Sequence, residues 1–153
     1  MFDPKDPDFE ARVKASFAAQ SAMKTLQIEL VSVRPGEIVM QLEKSEELLQ
    51  QQGFVHGGVV TAGLDSACGF AALTLSAPNV EVLSIEFKTS FFRPAAADRV
   101  RFIGRVLKAG RRVSFCEAEA LALREGEQVM LAKMSSSVAM VEMPQGWVPE
   151  NRS

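Results

Sequence analysis

The segment from Gly57 to Ser76 is apolar on every side of a helical wheel, and this limits the folds that are open to the chain. Its apolar residues fall at positions 59, 60, 64, 67, 68, 71, 73 and 75. A helix of this kind must be surrounded either by protein or by lipid. Asp65 near its centre, among many Gly and Ala residues, favours a buried soluble helix over a membrane span. The rest of the chain must therefore cover this helix.

The rest of the chain contains extended segments that could pack around this helix. Alternation of apolar and polar residues predicts strands at residues 27–33, 37–42, 80–92, 99–107, 113–123 and 128–141. Pro35-Gly36, Lys108–Arg111 and Arg124–Glu127 are predicted to form the turns of three hairpins. Because no second long apolar helix exists to cover the sheet's other face, we predict an α+β fold in which an antiparallel sheet wraps around one central helix at about 57–76.

The amino-terminal residues are expected to add one more helix. Asp8 is predicted to cap a helix that runs through about Lys24, with Val13 and Phe17 on its apolar side. A chain of 153 residues, 47% of them hydrophobic, is long enough to bury a core and too short for two ordinary domains. We therefore predict a single domain over residues 1–153.

Charge and cysteine content exclude several classes of function. The net charge of -2 and the pI near 5.5 leave no large basic surface, so nucleic-acid binding is not expected. The acidic amino terminus lacks the basic and then apolar order of a secretory signal. Cys68 and Cys116 lie in apolar stretches, as buried free thiols usually do. We predict a cytoplasmic protein without a membrane partner.

Metal and nucleophile motifs are also missing from the sequence. His56 is the one histidine, and no Cys-x-x-Cys pair exists, so we expect no metal site. The Gly-x-Ser-x-Gly elbow is absent, and Gly58-x-x-x-x-Gly63 does not continue as Lys-Ser, which removes the phosphate-loop interpretation. We expect no cofactor. His56 and Cys68 lie twelve positions apart, about 18 Å along a helix, so they cannot form a pair within one chain.

The predicted start of the central helix has the properties of an oxyanion site. Gly57 and Gly58 open the helix, so their N–H groups lack intrahelical partners and the positive end of the helix dipole lies beside them. Glycine also lets a substrate carbonyl approach the backbone closely. The alternative is an ordinary Gly-rich helix entry.

Asp65 is the candidate catalytic carboxylate. Aspartate is a poor helix-interior residue, and here it stands among apolar neighbours on a helix that is predicted to be buried. Ionisable groups held in desolvated places cluster at active sites, which favours a functional role. A satisfied core carboxylate and an exposed strip of the helix are the alternatives.

The spacing of these two features constrains how they could cooperate. Gly57 and Asp65 are eight residues apart, or about 12 Å along one helix, so they cannot both contact one carbonyl group. If they form one site, the second member must come from another subunit. A two-fold dimer would then hold two equal sites, each with one chain's Gly57 and the other chain's Asp65.

At this point the residues show a resemblance to a known family. The stretch from Gln50 to Asp65, with Phe54-Val-His-Gly-Gly58 at its centre, is followed by Val82-Leu-Ser-Ile-Glu-Phe-Lys88 and by Phe92-Arg-Pro-Ala95. Together they resemble the hotdog-fold thioesterases of the phenylacetate-degradation (PaaI-like) branch, over about residues 27–141. The resemblance implies an acyl-CoA hydrolase whose homodimers often assemble into tetramers, with active sites at the dimer interface.

The resemblance also implies roles for single residues. Gly57 N–H would polarise the thioester carbonyl, and Asp65 of the partner would activate water or attack the carbonyl directly. Gln50 stands where related enzymes often carry an Asn that orients the water, and an amide can still donate and accept there. His56 is expected to fix the helix entry, with direct catalysis as the alternative.

Further residues are expected near the substrate. Ser84 matches a hydroxyl position of related sites, but strand alternation sets it opposite Ile85 and Phe87, so it would have to reach the partner's site. Gly69 stands where some relatives place a hydroxyl. The remaining substrate-binding candidates are Gly58, Ser66 and Phe54. Phe54, like Phe70 and Phe91, could line an acyl pocket, although apolar aromatics are more often core residues.

Some alternatives stay open at the level of sequence. Lys108, Arg111 and Arg112 could meet the phosphates of coenzyme A, but a solvated turn is the preferred interpretation. A hydratase or dehydratase on the same fold would use a histidine and an acid across the interface, yet its Asp-x-x-x-His signature is missing. A non-catalytic acyl-CoA-binding module is the third reading, and the retained Asp65 argues against it. The acyl group itself is not determined by the sequence.

Overall fold

A six-stranded antiparallel sheet wraps around one long helix in the computed structural model, which describes residues 2–124 and 127–144. The helices are α1 (Phe9–Ala19), α2 (Ser21–Thr25) and α3 (Gly57–Leu73), with a 3-10 turn at Glu46–Leu48. The strands are β1 (Ile28–Arg34), β2 (Glu37–Glu43), β3 (Val80–Phe91), β4 (Arg99–Lys108), β5 (Val113–Arg124) and β6 (Glu127–Glu142). The predicted α+β architecture is confirmed. That the whole chain is one domain stays a prediction.

The strands lie in the order β1-β2-β4-β5-β6-β3, and all neighbours are antiparallel. Every second residue is buried along β4 from Val100 to Val106 and along β5 from Ser114 to Ala120, as the period of two in their sequence predicts, while a bulge in β5 leaves Leu121 buried as well. Gly104 of β4 lies against the backbone of Ala67, so helix and sheet approach closely at this point. No helix among the described residues is long and apolar enough to cross a membrane.

The predicted N-terminal helix over 8–24 is wrong in its continuity. Gln20 has an extended backbone, with ψ of 98°, and divides the segment into α1 and α2. The break lets α1 bury Val13 while α2 buries Met23. The Asp8 side chain makes no capping hydrogen bond; instead, the Asp8 N–H donates to Asp6 Oδ1.

The central helix ends at Leu73, three residues before the predicted end. Side chains take over the carbonyl groups of its last turn, because Thr74 Oγ1 donates to Ala71 O and Ser76 Oγ donates to Leu73 O. Thr74 Oγ1 also accepts from the Gly36 N–H in the first hairpin turn, where Gly36 has a φ of +75°. The predicted Pro35-Gly36 turn is thus confirmed and is tied to the helix. In the predicted Arg124–Glu127 turn, residues 125 and 126 lie outside the described residues.

The two edges of the sheet differ. β1 is packed against α1 and α2, whereas the outer edge of β3 pairs with no strand of the described chain. β3 is twelve residues long and carries apolar side chains that are largely exposed: Leu83 at 59%, Ile85 at 56% and Phe87 at 46%. A long, apolar, unpaired edge strand is a surface suited to pairing with another chain.

Candidate active site

The entry to α3 is built by a short loop that returns to its own start. Leu49 and Val55 form an isolated antiparallel bridge, and the His56 N–H donates to Leu48 O at 2.8 Å. Gly53, with a φ of +80°, closes the turn between them. This closed loop fixes where α3 begins.

His56 is the N-cap residue of α3. Its Nδ1 accepts a hydrogen bond of 2.9 Å from the Gly58 N–H. Since Nδ1 is an acceptor, a neutral His56 carries its proton on Nε2, which is a donor on an exposed side chain. The expected fixing of the helix entry is confirmed by this bond; whether His56 also takes part in catalysis stays a prediction.

The two glycines of the predicted oxyanion site are not equivalent. The Gly58 N–H is already bonded to His56, so the expectation that it belongs to the same receptor as Gly57 is wrong in this respect. The Gly57 N–H has no acceptor among residues 2–124 and 127–144. The Phe91 ring lies beside Gly57, 3.5 Å from where a Cβ would stand. Among the described residues of this helix start, Gly57 therefore offers the backbone donor that is left for a substrate.

Gln50 and Phe54 lie in the loop next to Gly57. The Gln50 side chain is turned onto Gln52, accepting from the Gln52 N–H and donating to Gln52 Oε1. With Gly57, Phe91, Val60 and Leu131, Gln50 and Phe54 line a pocket of about 380 Å³, here called the Gly57 cleft. The predicted association of Gln50 and Phe54 with Gly57 is thus present, while the role of Gln50 with a water is untested.

Asp65 lies eight residues further along the same helix and is less buried than predicted. It is half-buried, because β3 beside it is the exposed edge strand. Ser84 Oγ donates to Asp65 Oδ1 at 2.6 Å. Within one chain Ser84 therefore lies with Asp65 and not with Gly57. The expectation that Ser84 would have to reach the partner's site is wrong, because Ser84 contacts α3 of its own chain, while Ile85 and Phe87 are largely exposed.

Asp65 opens into a second pocket. About 340 Å³ in volume and here called the Asp65 cleft, it is lined by Asp65, Ser66, Gly69, Phe70, Val82 and Ser84. The predicted Ser66 and Gly69 are thus next to Asp65, and Phe70 joins this cleft while Phe54 and Phe91 line the other. The Gly57 N–H and the Asp65 carboxylate thus lie in two separate clefts of one chain.

Sequence reasoning missed the residues that bound the Asp65 cleft from the other side. Ser16 and Gln20 of the N-terminal segment line it as well. The only signal for them was their position one turn apart, beside the apolar Phe17.

The two thiols do not belong to either cleft. Cys68 and Cys116 are buried and free. Burial raises the pKa of the Cys116 thiol to about 12, and it also raises the pKa of Cys68, with Cys116 as a further cause. The prediction of buried free thiols is confirmed, and a raised thiol pKa leaves little of the nucleophilic thiolate form at neutral pH.

Charged residues near the β4–β5 turn stay on the surface. Lys108, Arg111 and Arg112 are exposed, which suits a solvated turn. Among the residues that the structure describes, no three His, Cys, Asp or Glu side chains gather closely enough to hold a metal ion.

Comparison with known proteins identifies the family. The sequence profile of the thioesterase superfamily matches residues 52–128, half of the chain. The crystal structure of a thioesterase family protein from Silicibacter pomeroyi is 36% identical, with a TM-score of 0.85 over 88% of this chain and 98% of that one. The 1,4-dihydroxy-2-naphthoyl-CoA hydrolase of Listeria monocytogenes is 30% identical over 58% of this chain and 72% of its own length.

The resemblance to PaaI is found in the fold. PaaI from the phenylacetic acid degradation operon of Escherichia coli has a TM-score of 0.79 at 16% identity, over 88% of this chain and 97% of that one. The chain belongs to the thioesterase superfamily, with the hotdog fold and the class of thioester hydrolase that the resemblance implied.

Proposed function

We propose that this protein is an acyl-CoA thioesterase that hydrolyses its substrate to a free acid and coenzyme A, without a further cofactor. The observation that carries the proposal is the pairing of Asp65 with Ser84 at 2.6 Å, in a cleft beside an unpaired edge strand. The 30% identity to a naphthoyl-CoA hydrolase supports coenzyme A as the thiol. A cytoplasmic location stays part of the proposal.

The reaction needs one carboxylate and one donor. A water oxygen attacks the thioester carbon while the Asp65 carboxylate takes the water's proton, and the Gly57 N–H donates to the developing oxyanion. Collapse of the intermediate breaks the C–S bond, and the departing thiolate receives the proton from Asp65. Direct attack by Asp65, followed by hydrolysis of the anhydride, uses the same two groups. Ser84 holds Asp65 Oδ1, which leaves Oδ2 for the water or the carbonyl.

A second copy of the chain would bring these groups together. Ser84, next to Asp65, and Phe91, next to Gly57, lie on either side of the middle residues Phe87 and Lys88 of β3. If two β3 strands pair antiparallel about a two-fold axis near this middle, each Asp65 cleft meets the partner's Gly57 cleft. The exposed Leu83, Ile85 and Phe87 would lie in this interface.

Charge favours one register for this pairing. Residues directly opposite each other in an antiparallel pair point to the same face of the sheet. With a two-fold axis perpendicular to the sheet, one residue must therefore lie opposite the same residue of the partner strand. Glu86 or Lys88 at the centre would oppose like charges, which destabilises the pair. Phe87 at the centre puts each Glu86 opposite the partner's Lys88. We take this register as part of the proposal; further assembly into a tetramer also stays a proposal.

The catalytic assignment is tested by thiol release across a panel of acyl-CoAs. Asp65→Asn keeps the size of the side chain and removes its charge, so kcat should fall by about 10²–10⁴. The exposed Asp98→Asn is the matched control and should retain wild-type rates. Equal hydrolysis by wild type and Asp65→Asn would end the assignment. Binding of acyl-CoA without turnover by the wild type would instead indicate a binding module.

A mixed dimer tests whether the site is shared. Gly57→Pro removes the N–H donor, and proline is well suited to the first position of a helix. His56 already has the extended ψ of 137° that a residue before proline requires. Each single variant should be inactive, whereas a random mixture of Asp65→Asn and Gly57→Pro chains should recover about a quarter of the wild-type activity. No recovery, with mixed dimers shown by mass spectrometry, would refute the shared site.

The register is tested by charge reversal. Lys88→Glu would set Glu86 against a second carboxylate, and the dimer should weaken in sedimentation velocity. Lys108→Glu, at the exposed end of β4, is the matched control and should not change the dimer. Glu86→Lys in the same chain should restore the dimer. A monomer with full activity would contradict the proposal that each active site is shared between two chains.

A further inference from the structure

The two clefts differ in the charge of the residues that line them. Arg93 is the one ionisable residue among those described at the Gly57 cleft. The Asp65 cleft has two, Asp65 and Glu81, and both are acidic. With a net charge of -2, the protein gives no general attraction for an anion. An anionic part of a substrate is therefore favoured at the Gly57 cleft and disfavoured at the Asp65 cleft.

Backbone contacts fix Arg93 at the Gly57 cleft. The N–H groups of Phe92 and Arg93 both donate to Leu131 O, at 2.8 Å and 3.3 Å, so the chain that leaves β3 stays beside β6. Leu131 also lines the cleft. Pro94 comes next and restricts the backbone of the residue before it. The position of Arg93 is therefore defined, although its side chain is exposed.

The guanidinium of Arg93 keeps donors that no described residue uses. Its Nη1 donates to Met130 O at 3.0 Å, and this bond anchors the side chain next to Leu131. No carboxylate of residues 2–124 and 127–144 forms a salt bridge with it. A guanidinium carries several N–H donors in a planar fork, so donors remain for a second partner. Phosphate oxygens match this fork, which makes arginine a common phosphate-binding residue.

The proposed substrate has one strongly anionic part, the phosphates of coenzyme A. In the proposed reaction the thioester lies between the Gly57 N–H of one chain and the partner's Asp65. The acyl group and the coenzyme A arm are attached on opposite sides of the thioester carbonyl, so each arm takes one of the two clefts. The charge of the clefts decides which arm takes which.

We propose that Arg93 binds the phosphates of coenzyme A. The coenzyme A arm then follows the Gly57 cleft of one chain, and the acyl group enters the Asp65 cleft of the other. This inference rests on the proposed thioesterase function.

The Asp65 cleft suits an uncharged acyl group. Phe70, Leu73 and Val82 are apolar residues of its lining, and such surfaces favour a hydrocarbon chain. Gly69 leaves space there, because the nearest atom to a Cβ at this position, beyond the helix's own backbone, would be Val82 Cγ2 at 4.0 Å. The acyl group thus meets apolar surface on the side where an anion is disfavoured.

A truncated thioester tests the phosphate contact. Octanoyl-N-acetylcysteamine has the thioester and the acyl group of octanoyl-CoA but no phosphate. Arg93→Gln should raise KM for octanoyl-CoA about tenfold with kcat unchanged, because a charge-assisted bond is lost from the ground and transition states alike. With the N-acetylcysteamine thioester, its kinetics should equal those of the wild type.

Two further variants complete this test. Arg34→Gln makes the same change at the exposed end of the other edge strand, β1, and should match the wild type with both substrates. Arg93→Lys keeps the positive charge and should retain most of the affinity for octanoyl-CoA. An equal loss with both substrates in Arg93→Gln would show that Arg93 only supports its loop, and this result would overturn the proposal.

The competing position for the phosphates is the β4–β5 turn. If an Arg111→Gln/Arg112→Gln variant raises KM for octanoyl-CoA and Arg93→Gln does not, the phosphates bind at that turn and the proposal is refuted. Ionic strength gives a second readout. Added salt should raise the wild-type KM for octanoyl-CoA, and it should do so less in Arg93→Gln.

The place of the acyl group is tested with Gly69→Val. Relative to wild type, kcat/KM should fall about tenfold more for octanoyl than for acetyl thioesters, which corresponds to about two lost methylene contacts. The fall should be the same with coenzyme A and N-acetylcysteamine as the thiol. Ala15→Val places the same side chain on the exposed side of α1 and should match the wild type.

The outcomes separate the two proposals. If the wild type hydrolyses neither octanoyl-CoA nor octanoyl-N-acetylcysteamine, the proposed function fails. If it hydrolyses both and Arg93→Gln has wild-type kinetics, only the role of Arg93 is refuted. An unchanged chain-length profile in folded Gly69→Val would refute the place of the acyl group. Should that variant fail to fold, Gly69→Ala narrows the cleft less, and an unchanged preference between branched and straight acyl chains would refute it equally.

Discussion

The two sides of α3 use glycine for opposite purposes. On the side that faces the sheet, a Cβ at Gly63 would stand 2.5 Å from the Phe102 ring, and one at Gly104 of β4 would overlap the carbonyl of Ala67. On the side that faces the Asp65 cleft, the nearest atom to a Cβ at Gly69, beyond the helix's own backbone, would be Val82 Cγ2 at 4.0 Å. Glycine permits close packing on the first side and leaves free space on the second.

This difference separates the part of the helix that makes the fold from the part that makes the site. Tight packing against β4 and β5 holds the helix in place. The backbone of Asp65 is held with it, although the side chain of Asp65 lies beside an open cleft. Catalytic groups are best held by rigid elements with space left for substrate. Substitutions on the two sides should therefore affect different properties.

The largest effect on stability is expected from Gly104→Ala. The new methyl group would overlap the Ala67 backbone, which cannot move without shifting α3 away from the sheet. We expect a loss of about 3 kcal/mol in the free energy of unfolding, at the upper end for overpacking. Urea denaturation measures it. A loss below that of an average surface substitution would show that helix and sheet are not in close contact here.

The buried thiols test the packed side through pH. Cys116 has a pKa raised from 9.0 to about 12, and that of Cys68 is raised too, so the unfolded chain releases these protons at lower pH than the folded chain. Stability is therefore complete below pH 9 and falls above it, by about 3 kcal/mol for both thiols at pH 10.

Denaturation at pH 8 and pH 10 measures this loss. A Cys68→Ala/Cys116→Ala variant serves as the reference, since it lacks both thiols and should lose correspondingly less stability between the two pH values. Parallel curves for the two proteins would mean that the thiols reach solvent in the native state.

The same division explains what sequence alone predicted. A period of two residues identified the strands, and a helix-length segment that is apolar on every side identified α3, because burial on one face and burial all round impose these different patterns. The predicted N-terminal helix is too long, because Gln20 has an extended backbone that divides it. The intrinsic helix propensity of Gln does not indicate such a break, which depends on how α1 and α2 pack.

The candidate site residues were indicated by local exceptions to these patterns and not by the patterns themselves. Asp65 and Gly57 stood out because each violates its local pattern, whereas Gly58 was misjudged because the Gly58 N–H bond to His56 depends on a rotamer. Ser16 and Gln20 carry no local anomaly, and only the docking of α1 on α3 brings them to the cleft.

On the open side, Ser84→Ala should impair catalysis more than stability. Loss of the hydroxyl frees Asp65 to rotate, and we expect kcat to fall about tenfold with little change in KM, in line with one hydrogen bond to a charged group. Ser84→Thr should restore most of the rate because it keeps the donor, and Ser90→Ala on the same strand is the matched control. A rise in KM with unchanged kcat would contradict the positioning role.

The smallest effect is expected at Gly69, and its sign should be opposite to that at Gly104. Alanine is favoured over glycine inside a helix by up to about 1 kcal/mol, and beyond the helix's own backbone the nearest atom to the added methyl group is Val82 Cγ2 at 4.0 Å, an ordinary contact that does not cancel that gain. Gly69→Ala should therefore raise the unfolding free energy while it reduces hydrolysis of branched acyl-CoAs. Glycine at this position would then be maintained for space in the cleft at a cost in stability. A destabilised Gly69→Ala protein would mean that this side of α3 is packed as tightly as the other, and the contrast between the two glycines would be lost.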